Sequence, residues 1–279
     1  MIKGTTRLTG IIGWPIGHSF SPQMHNAAFR ELDLDYAYVP LPVQADALAS
    51  VIAALPQMGF RGVNVTIPHK VAVMQHLTQL DESARLAGAV NTIVFEEGRS
   101  IGYNTDVGGF MGSLAAFGVE ANGANVLLLG AGGAARAVVA GMLGVGANVT
   151  IAARRRDKAV ELAQLFPLVK VAACGWEEKK FAEVSEQANI IINSTPVGMH
   201  GQAEQILPLD WSVIATDAML YDLIYNPKET PFLRYGRERG QRVLNGAGML
   251  IEQGALAFAL WTGRADCRAA MRKAMEEKE

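Results

Sequence analysis

Apolar residues along the first hundred positions come in short runs bounded by glycine, proline or polar residues, and their spacing alternates between two periods. Residues 7–12, 36–41 and 62–67 have the length and content of strands, whereas 22–32 and 45–55 repeat at helical spacing. Ser21 is available to cap the first helix. Pro68 is placed to open a short helix after the third strand, where a missing N–H is tolerated. Residues 89–95 and 100–103 flank Glu96-Glu97-Gly98-Arg99, the pattern of a β-hairpin. A helical run at 107–117 leads into a second series: strands at 125–129, 148–153, 189–193, 216–220 and 241–244, with helices at 157–165 and 230–239. Strands separated by helical runs imply parallel βαβ units with right-handed crossovers. Two last helical runs, 246–260 and 264–277, have no strand after them and are expected to return to the first domain. The expectation is an α/β chain of two domains, 1–106 plus 246–279 and 107–245.

The second domain opens on its most informative stretch. Asn125 is followed by Val126-Leu127-Leu128-Leu129, an apolar run that reads as a strand buried on both faces, and then by Gly130-Ala131-Gly132-Gly133-Ala134-Ala135. This is G-x-G-x-x-A between a strand and a helix. Gly130 allows the sharp turn, Gly132 lets the backbone approach a pyrophosphate, and Ala135 lets the helix pack close. The N–H groups of Gly133 and Ala134, at the positive end of that helix, would face phosphates. The pattern alone is weak, since any α/β protein has glycine turns. A second strand at 148–153 supplies the context of a Rossmann-type, doubly wound dinucleotide-binding domain.

Composition narrows the classes. The 279 residues are half hydrophobic and carry a net charge of −2 with no long basic run, which argues against nucleic acid or an anionic membrane as partner. Only Cys174 and Cys267 occur, far apart, which suits a reducing compartment. No apolar run is long enough to cross a bilayer, and no signal-like segment opens the chain. The expectation is a soluble, cytoplasmic protein acting on a small molecule as a monomer or homodimer. His18, His25, His69, His76 and His200 show no metal-ligand spacing, so no metal is expected.

Several polar clusters need a purpose. Gly17-His18-Ser19-Phe20-Ser21-Pro22 puts two hydroxyls just before a helix, suited to a carboxylate or simply to capping. Asn64 and Thr66 alternate with apolar residues and so share one strand face, with Lys70 one helical turn beyond. Asn91-Thr92 and Asn104-Thr105-Asp106 end further apolar strands. Asn193-Ser194-Thr195-Pro196 closes a strand of the second domain, where parallel sheets place ligands. Gln253 lies inside an apolar helical run and needs a partner.

Together these clusters resemble the shikimate dehydrogenase (shikimate 5-dehydrogenase) family, which interconverts 3-dehydroshikimate and shikimate with NADP. The stretches that carry the resemblance are IIGWPIGHSFSPQMHNAAF, GFRGVNVTIPHK, GAVNTI, NTDVGGF, LLLGAGGAARAV, INSTPVGM, YDLIYNPKETPFL and NGAGMLIEQGALAF, in the family's order. The resemblance implies that the first domain binds substrate: a carboxylate on Ser19 and Ser21 with help from Tyr225, and ring hydroxyls on Thr66, Asn91, Asp106 and Gln253; Asn64, on the same strand face as Thr66, is expected to join them. Lys70 is implied as catalytic, with Asp106 beside it. Glu82, Leu223 and Gly246 match positions lining the cofactor site or the cleft, and Thr195, at a strand end of the second domain, is expected to bind the cofactor too.

One departure bears on the cofactor. The family commonly has Asn-Arg-Thr after the second strand, where this chain has Ala153-Arg154-Arg155 and then Arg156. An NAD site usually places an acid there for the ribose hydroxyls. Guanidinium groups instead suit a 2′-phosphate. NADP is therefore expected, held by Arg154 and Arg155 with Lys158 assisting. The rivals are a quinate/shikimate dehydrogenase preferring NAD, another lysine-dependent two-domain dehydrogenase of the methylene-tetrahydrofolate kind, and a ligand-sensing homologue without catalysis. The Ser19/Ser21 pair and Gln253 count against the second, and Lys70 with Asp106 against the third.

Overall fold

The computed structural model describes residues 2–167, 169, 171–199 and 206–277. The chain forms two compact units, 1–109 with 251–279 and 110–250. These boundaries lie three to five residues beyond those expected from sequence, because each falls inside a continuous helix rather than at a polar break.

The first unit is built from β1 (Arg7–Gly13), α1 (Ser21–Glu31), β2 (Tyr36–Pro42), α2 (Leu48–Ala54), β3 (Phe60–Val65), β4 (Gln79–Leu80), α3 (Glu82–Ala87), β5 (Thr92–Glu96) and β6 (Arg99–Tyr103). Its sheet has the order β2-β1-β3-β5-β6-β4, and only β5 runs against its neighbours. The hairpin turns through Glu97 and Gly98, both at positive φ (49° and 74°), the two-residue geometry that matches strand twist. Ile12, Val63, Val65 and Ile93 join Leu48, Ile52 and Leu55 in one buried cluster. The first helix differs from expectation. Ser21 is its first residue, Phe20 stands at the cap position without a side-chain bond, and the Ser21 N–H donates to Ser19 Oγ at 3.3 Å. Pro68 does not open a helix either. The His69 N–H closes a turn on Thr66 O at 2.9 Å, and a short 3₁₀ segment begins only at Ala72.

Helix α4 (Thr105–Ala116) carries the chain across the boundary at residue 109. The second unit continues with β7 (Asn125–Leu129), α5 (Gly133–Gly144), β8 (Asn148–Ala153), α6 (Arg156–Ala163), β9 (Ala172–Gly175), α7 (Lys179–Glu186), β10 (Ile190–Asn193), β11 (Met219–Asp222), α8 (Pro231–Glu238) and β12 (Val243–Leu244). All pairings are parallel in the order β12-β11-β10-β7-β8-β9, the doubly wound arrangement whose direction reverses between β7 and β10. Alternate residues of β7 enter opposite cores. Val126 and Leu128 pack with α5 residues Val138 and Met142, while Leu127 and Leu129 pack with Phe181, Leu220 and Phe232. Burial of each such leucine contributes roughly 1.5–3 kcal/mol, which explains the unbroken apolar run. Helix α9 (Ala247–Thr262) crosses the second boundary, and α10 (Arg268–Glu276) packs on α1 of the first unit.

Candidate active site

In the first unit the strand ends gather polar side chains from five separate segments. The backbone sets them first. Val65 N–H donates to Asn91 O at 2.8 Å, Val90 N–H to Lys70 O at 2.8 Å, and Asn91 N–H to Tyr103 O at 3.0 Å. The turn carrying Lys70 is thereby pinned beside the start of β5, and Lys70 is presented from a turn rather than from a helix. Lys70 Nζ donates to Asp106 Oδ2 at 2.5 Å, with side chains 15% and 7% exposed. Asn91 Nδ2 donates to Asp106 Oδ1 at 2.8 Å and Thr105 Oγ1 at 3.0 Å, and lies 3.4 Å from Gln253 Oε1. Asn91 Oδ1 in turn accepts the Thr105 N–H at 2.7 Å, which fixes the amide's orientation at the start of α4. Asn64 Nδ2 donates to Asn91 O and Thr92 Oγ1 at 3.2 and 3.0 Å. Apart from Lys70, every side chain of this network is buried, so each bond replaces one that water would otherwise make.

The other expected substrate residues come from further segments. Ser19 and Ser21 stand at the start of α1, half-buried and buried. Thr66 follows β3, its N–H donating to Ile12 O at 2.9 Å. Tyr225 belongs to the second unit, half-buried beyond β11. Glu82 is exposed at the first position of α3 in the first unit. His69 is a structural histidine, its Nε2 2.7 Å from Val43 O. His200 lies outside the described residues, and among the described ones no group of three His, Cys, Asp or Glu side chains could hold a metal.

In the second unit the candidate ligand positions are the loops after β7, β8 and β10. Gly130 has φ of +106°, and a Cβ there would stand 2.7 Å from Ser194 Oγ. Only glycine suits this turn against the neighbouring strand end. Gly132 precedes α5 at a φ of −89°, and a Cβ on it would meet no protein atom within 4 Å. The space before the helix N-terminus is therefore open to a phosphate. Ala131 is half-buried beside Gly130, and the Gly133 and Ala134 amides begin α5. Ala153 ends β8 buried, and Arg154 and Arg155 follow it exposed, with no ion pair among the described residues. Lys158 is not free in the same way, because its Nζ is held by Glu161 at 2.5–2.7 Å.

Asp222 organises the remaining loops; it lies in the stretch YDLIYNPKETPFL, where the resemblance gave it no role. Its Oδ1 accepts from Asn193 Nδ2 and from the Ile224 N–H, both at 3.0 Å, and its Oδ2 accepts from Thr230 Oγ1 at 2.6 Å. Asn193 Oδ1 then accepts both the N–H and the hydroxyl of Thr195, at 2.9 and 2.7 Å. Leu223 N–H bonds Asn193 O at 2.9 Å, and Gly246 N–H bonds Ile224 O at 3.0 Å, so Thr195, Leu223 and Gly246 are tied to one framework. Burial pushes the Asp222 carboxyl up to about 7, against the three hydrogen bonds that favour its ion. A lone acid closing the apolar run 218–221 was the available sequence signal.

Known proteins match the chain along its length. Family models match in three stretches: "Shikimate dehydrogenase substrate binding domain" over residues 11–93, "Shikimate / quinate 5-dehydrogenase" over 113–200, and "Shikimate 5'-dehydrogenase C-terminal domain" over 246–276. The chain is 46% identical over 283 residues to the NADP⁺ shikimate dehydrogenase of Carboxydothermus hydrogenoformans, covering 98% of each. A shikimate dehydrogenase solved in complex with NADP⁺ superposes with a TM-score of 0.92 at 39% identity, covering 100% of this chain and 97% of that one. The Thermus thermophilus shikimate 5-dehydrogenase, solved with NADP(H) and shikimate, gives 0.88 at 34% identity, covering 98% and 100%. With matches of this identity along its whole length, the chain belongs to the shikimate dehydrogenase family.

Proposed function

We propose that the chain catalyses the reversible, NADP-dependent interconversion of 3-dehydroshikimate and shikimate, with the first unit binding the substrate and the second the dinucleotide. The observation that carries the chemistry is the Lys70–Asp106 pair, held through Asn91 and joined to Gln253 among buried amides and hydroxyls. A cluster able to donate and accept at several points suits a polyhydroxy ring. Ser19 and Ser21, with Tyr225, bind its carboxylate, while Asn64, Thr66, Asn91, Asp106 and Gln253 read its hydroxyls.

Bound NADP supplies the hydride chemistry. The protein must supply or remove the proton on the carbinol oxygen. Lys70 exchanges that proton, and Asp106 orients the Lys70 ammonium. Asn91, donating to the other Asp106 oxygen, keeps the carboxylate from rotating away. The open space before Gly132 and the exposed Arg154 and Arg155 fit a dinucleotide carrying a 2′-phosphate. Thr195, Leu223 and Gly246 of the second unit are assigned to the dinucleotide as well, and so is Glu82. The buried, unpaired Cys174 and Cys267 fit a reducing, cytoplasmic setting.

Purified protein assayed with shikimate and quinate, each with NADP⁺ and NAD⁺, tests this reading. Shikimate with NADP⁺ should give the highest kcat/KM. Equal efficiency with NAD⁺ would remove the role of the arginines, and binding without turnover would make the chain a sensor.

A further inference from the structure

Helix α4 carries two adjacent glycines, Gly108 and Gly109, that none of these roles uses. Glycine inside a helix is less stable than alanine, so the pair asks for a reason. The two differ in what a side chain would meet. A Cβ on Gly108 would stand 2.7 Å from Leu256 Cδ1, the far end of a side chain that can swing aside. A Cβ on Gly109 would stand 2.6 Å from Gln253 Cβ, 2.7 Å from its backbone nitrogen and 2.9 Å from its Cα. A main chain has no such freedom. At Gly109, α9 therefore rests directly on the α4 backbone, and it does so at the residue whose amide meets Asn91.

The place of this contact matters because α4 also holds the other side of the same cluster. Asn91 Oδ1 accepts the Thr105 N–H at 2.7 Å, and Asn91 Nδ2 donates to Asp106 Oδ1 at 2.8 Å. Thr105 and Asp106 lie one turn before Gly109, so all three share one face of the helix. One turn of α4 fixes Asn91 and Asp106, and the next fixes the main chain of Gln253. The distance left between Asn91 Nδ2 and Gln253 Oε1 is 3.4 Å, already at the outer limit of a hydrogen bond. Carbon atoms in contact sit about 3.5–4.0 Å apart, so a methyl at position 109 would drive α9 back by roughly 1 Å. The helix is not free to yield as a whole. Trp261, near its far end, donates to Ile93 O at 3.0 Å, and Gly254 lies against Met24 of α1. The displacement falls on Gln253.

We propose that Gly109 is a positioning residue of the substrate site. Its missing side chain sets the distance between the Gln253 amide and the Asn91–Asp106 pair, and with it the spacing of the groups that read the ring hydroxyls. The proposal rests on the reading of Gln253 as a residue that touches the substrate. Gly108 has no such part and is open to substitution.

Gly109→Ala should raise KM for shikimate about tenfold, the worth of one hydrogen bond whose partner is left buried and unpaired. The kcat should hold within about threefold, because the lost contact serves binding throughout the reaction. KM for NADP⁺ should not change, since the glycine loop belongs to the other unit. Gly108→Ala is the matched control. It should leave KM for shikimate unchanged and hold or raise the melting temperature, as alanine favours a helix. In a Gln253→Ala background, Gly109→Ala should add little to KM, because the amide it displaces is gone. Gln253→Asn, one methylene shorter, should raise KM as Gly109→Ala does, and it decides the matter if Gly109→Ala does not fold. An unchanged KM in Gly109→Ala, an equal rise in Gly108→Ala, full multiplication of the Gly109 and Gln253 effects, or a parent-like KM in Gln253→Asn would each overturn the role of Gly109. An unchanged KM in Gln253→Ala would instead remove the substrate reading of Gln253, and the proposal with it.

Discussion

The polar cluster of the first unit and the strand-end loops of the second are built from different materials. Around Lys70 the polar groups are side chains, most of them buried, bonded to one another across five chain segments. Around Gly130 they are backbone amides and empty space, with side chains such as Asn193 and Asp222 serving behind them as braces. A side-chain network fails when one member is removed, because the neighbours it leaves are buried and unpaired. A backbone site fails when something is added. The two regions should therefore break under opposite kinds of substitution.

The largest effect is expected from removal in the first region. Lys70→Ala should lower kcat by at least ~10²-fold, the low end of what general acid–base catalysis contributes. NADP⁺ affinity, read by titration, should stay normal because the glycine loop belongs to the other unit. Near-normal kcat would take Lys70 out of the mechanism, and lost NADP⁺ binding would undo the division of labour between the units.

Addition in the second region comes next, and two glycines separate fold from ligand. Gly130→Ala should cost on the order of 1–3 kcal/mol of stability through its positive φ and the contact with Ser194. Gly132→Ala should leave the melting temperature unchanged, since its Cβ meets no protein atom, yet weaken NADP⁺ binding by about tenfold or more. Intact NADP⁺ binding in Gly132→Ala would mean that no phosphate approaches there. A smaller change is expected from Arg154→Ala with Arg155→Ala. The preference for NADP⁺ over NAD⁺ should fall roughly tenfold, the worth of a charge-assisted bond or two, with stability untouched. An unaltered ratio would assign the 2′-phosphate elsewhere.

The smallest effects are on stability against pH, and they have opposite signs in the two regions. His25 is held below its unfolded value by burial, so its contribution is present above about pH 6.5 and is lost as pH falls toward 3. Asp222 is held above its unfolded value, so its contribution is present below about pH 4 and is lost as pH rises toward 7. Thermal unfolding of His25→Phe should gain on the parent as pH drops from 6.5 to 4.5. Asp222→Asn should gain on the parent as pH rises from 4 to 7. Parallel curves for parent and variant would show that the group does not titrate on unfolding.

Legibility in the sequence followed the same contrast. The second unit could be read from local pattern: an unbroken apolar strand, a glycine turn and a repeat of strand and helix, each a property of neighbouring residues. Its short or polar elements escaped, namely β9 with four residues and α7 with four charged residues of eight, because neither period is visible over so few positions. In the first unit β4 and α3 were missed for the same reason. Ser21 was expected to cap α1 and instead is its first residue, with Phe20 at the cap position and the Ser21 N–H donating to Ser19 Oγ. Pro68 was expected to start a helix, but the chain turns on Thr66 first.

Periodicity, turn chemistry and the run of family motifs determined by themselves that this is a two-domain α/β dehydrogenase with a dinucleotide loop, and they named Lys70, Asp106, Asn91 and Gln253. What only the tertiary structure decided is how those residues act on one another. Asn91 and Gln253 are 162 positions apart in the chain and meet at 3.4 Å. Asn193 and Asp222 lie within the family stretches, but their bracing roles come from the partners that packing brings to them. Hydrophobic period is a short-range property that a sequence displays directly. The direction of a buried hydrogen bond depends on which donors and acceptors are excluded from water together, and that is settled only when the chain has folded.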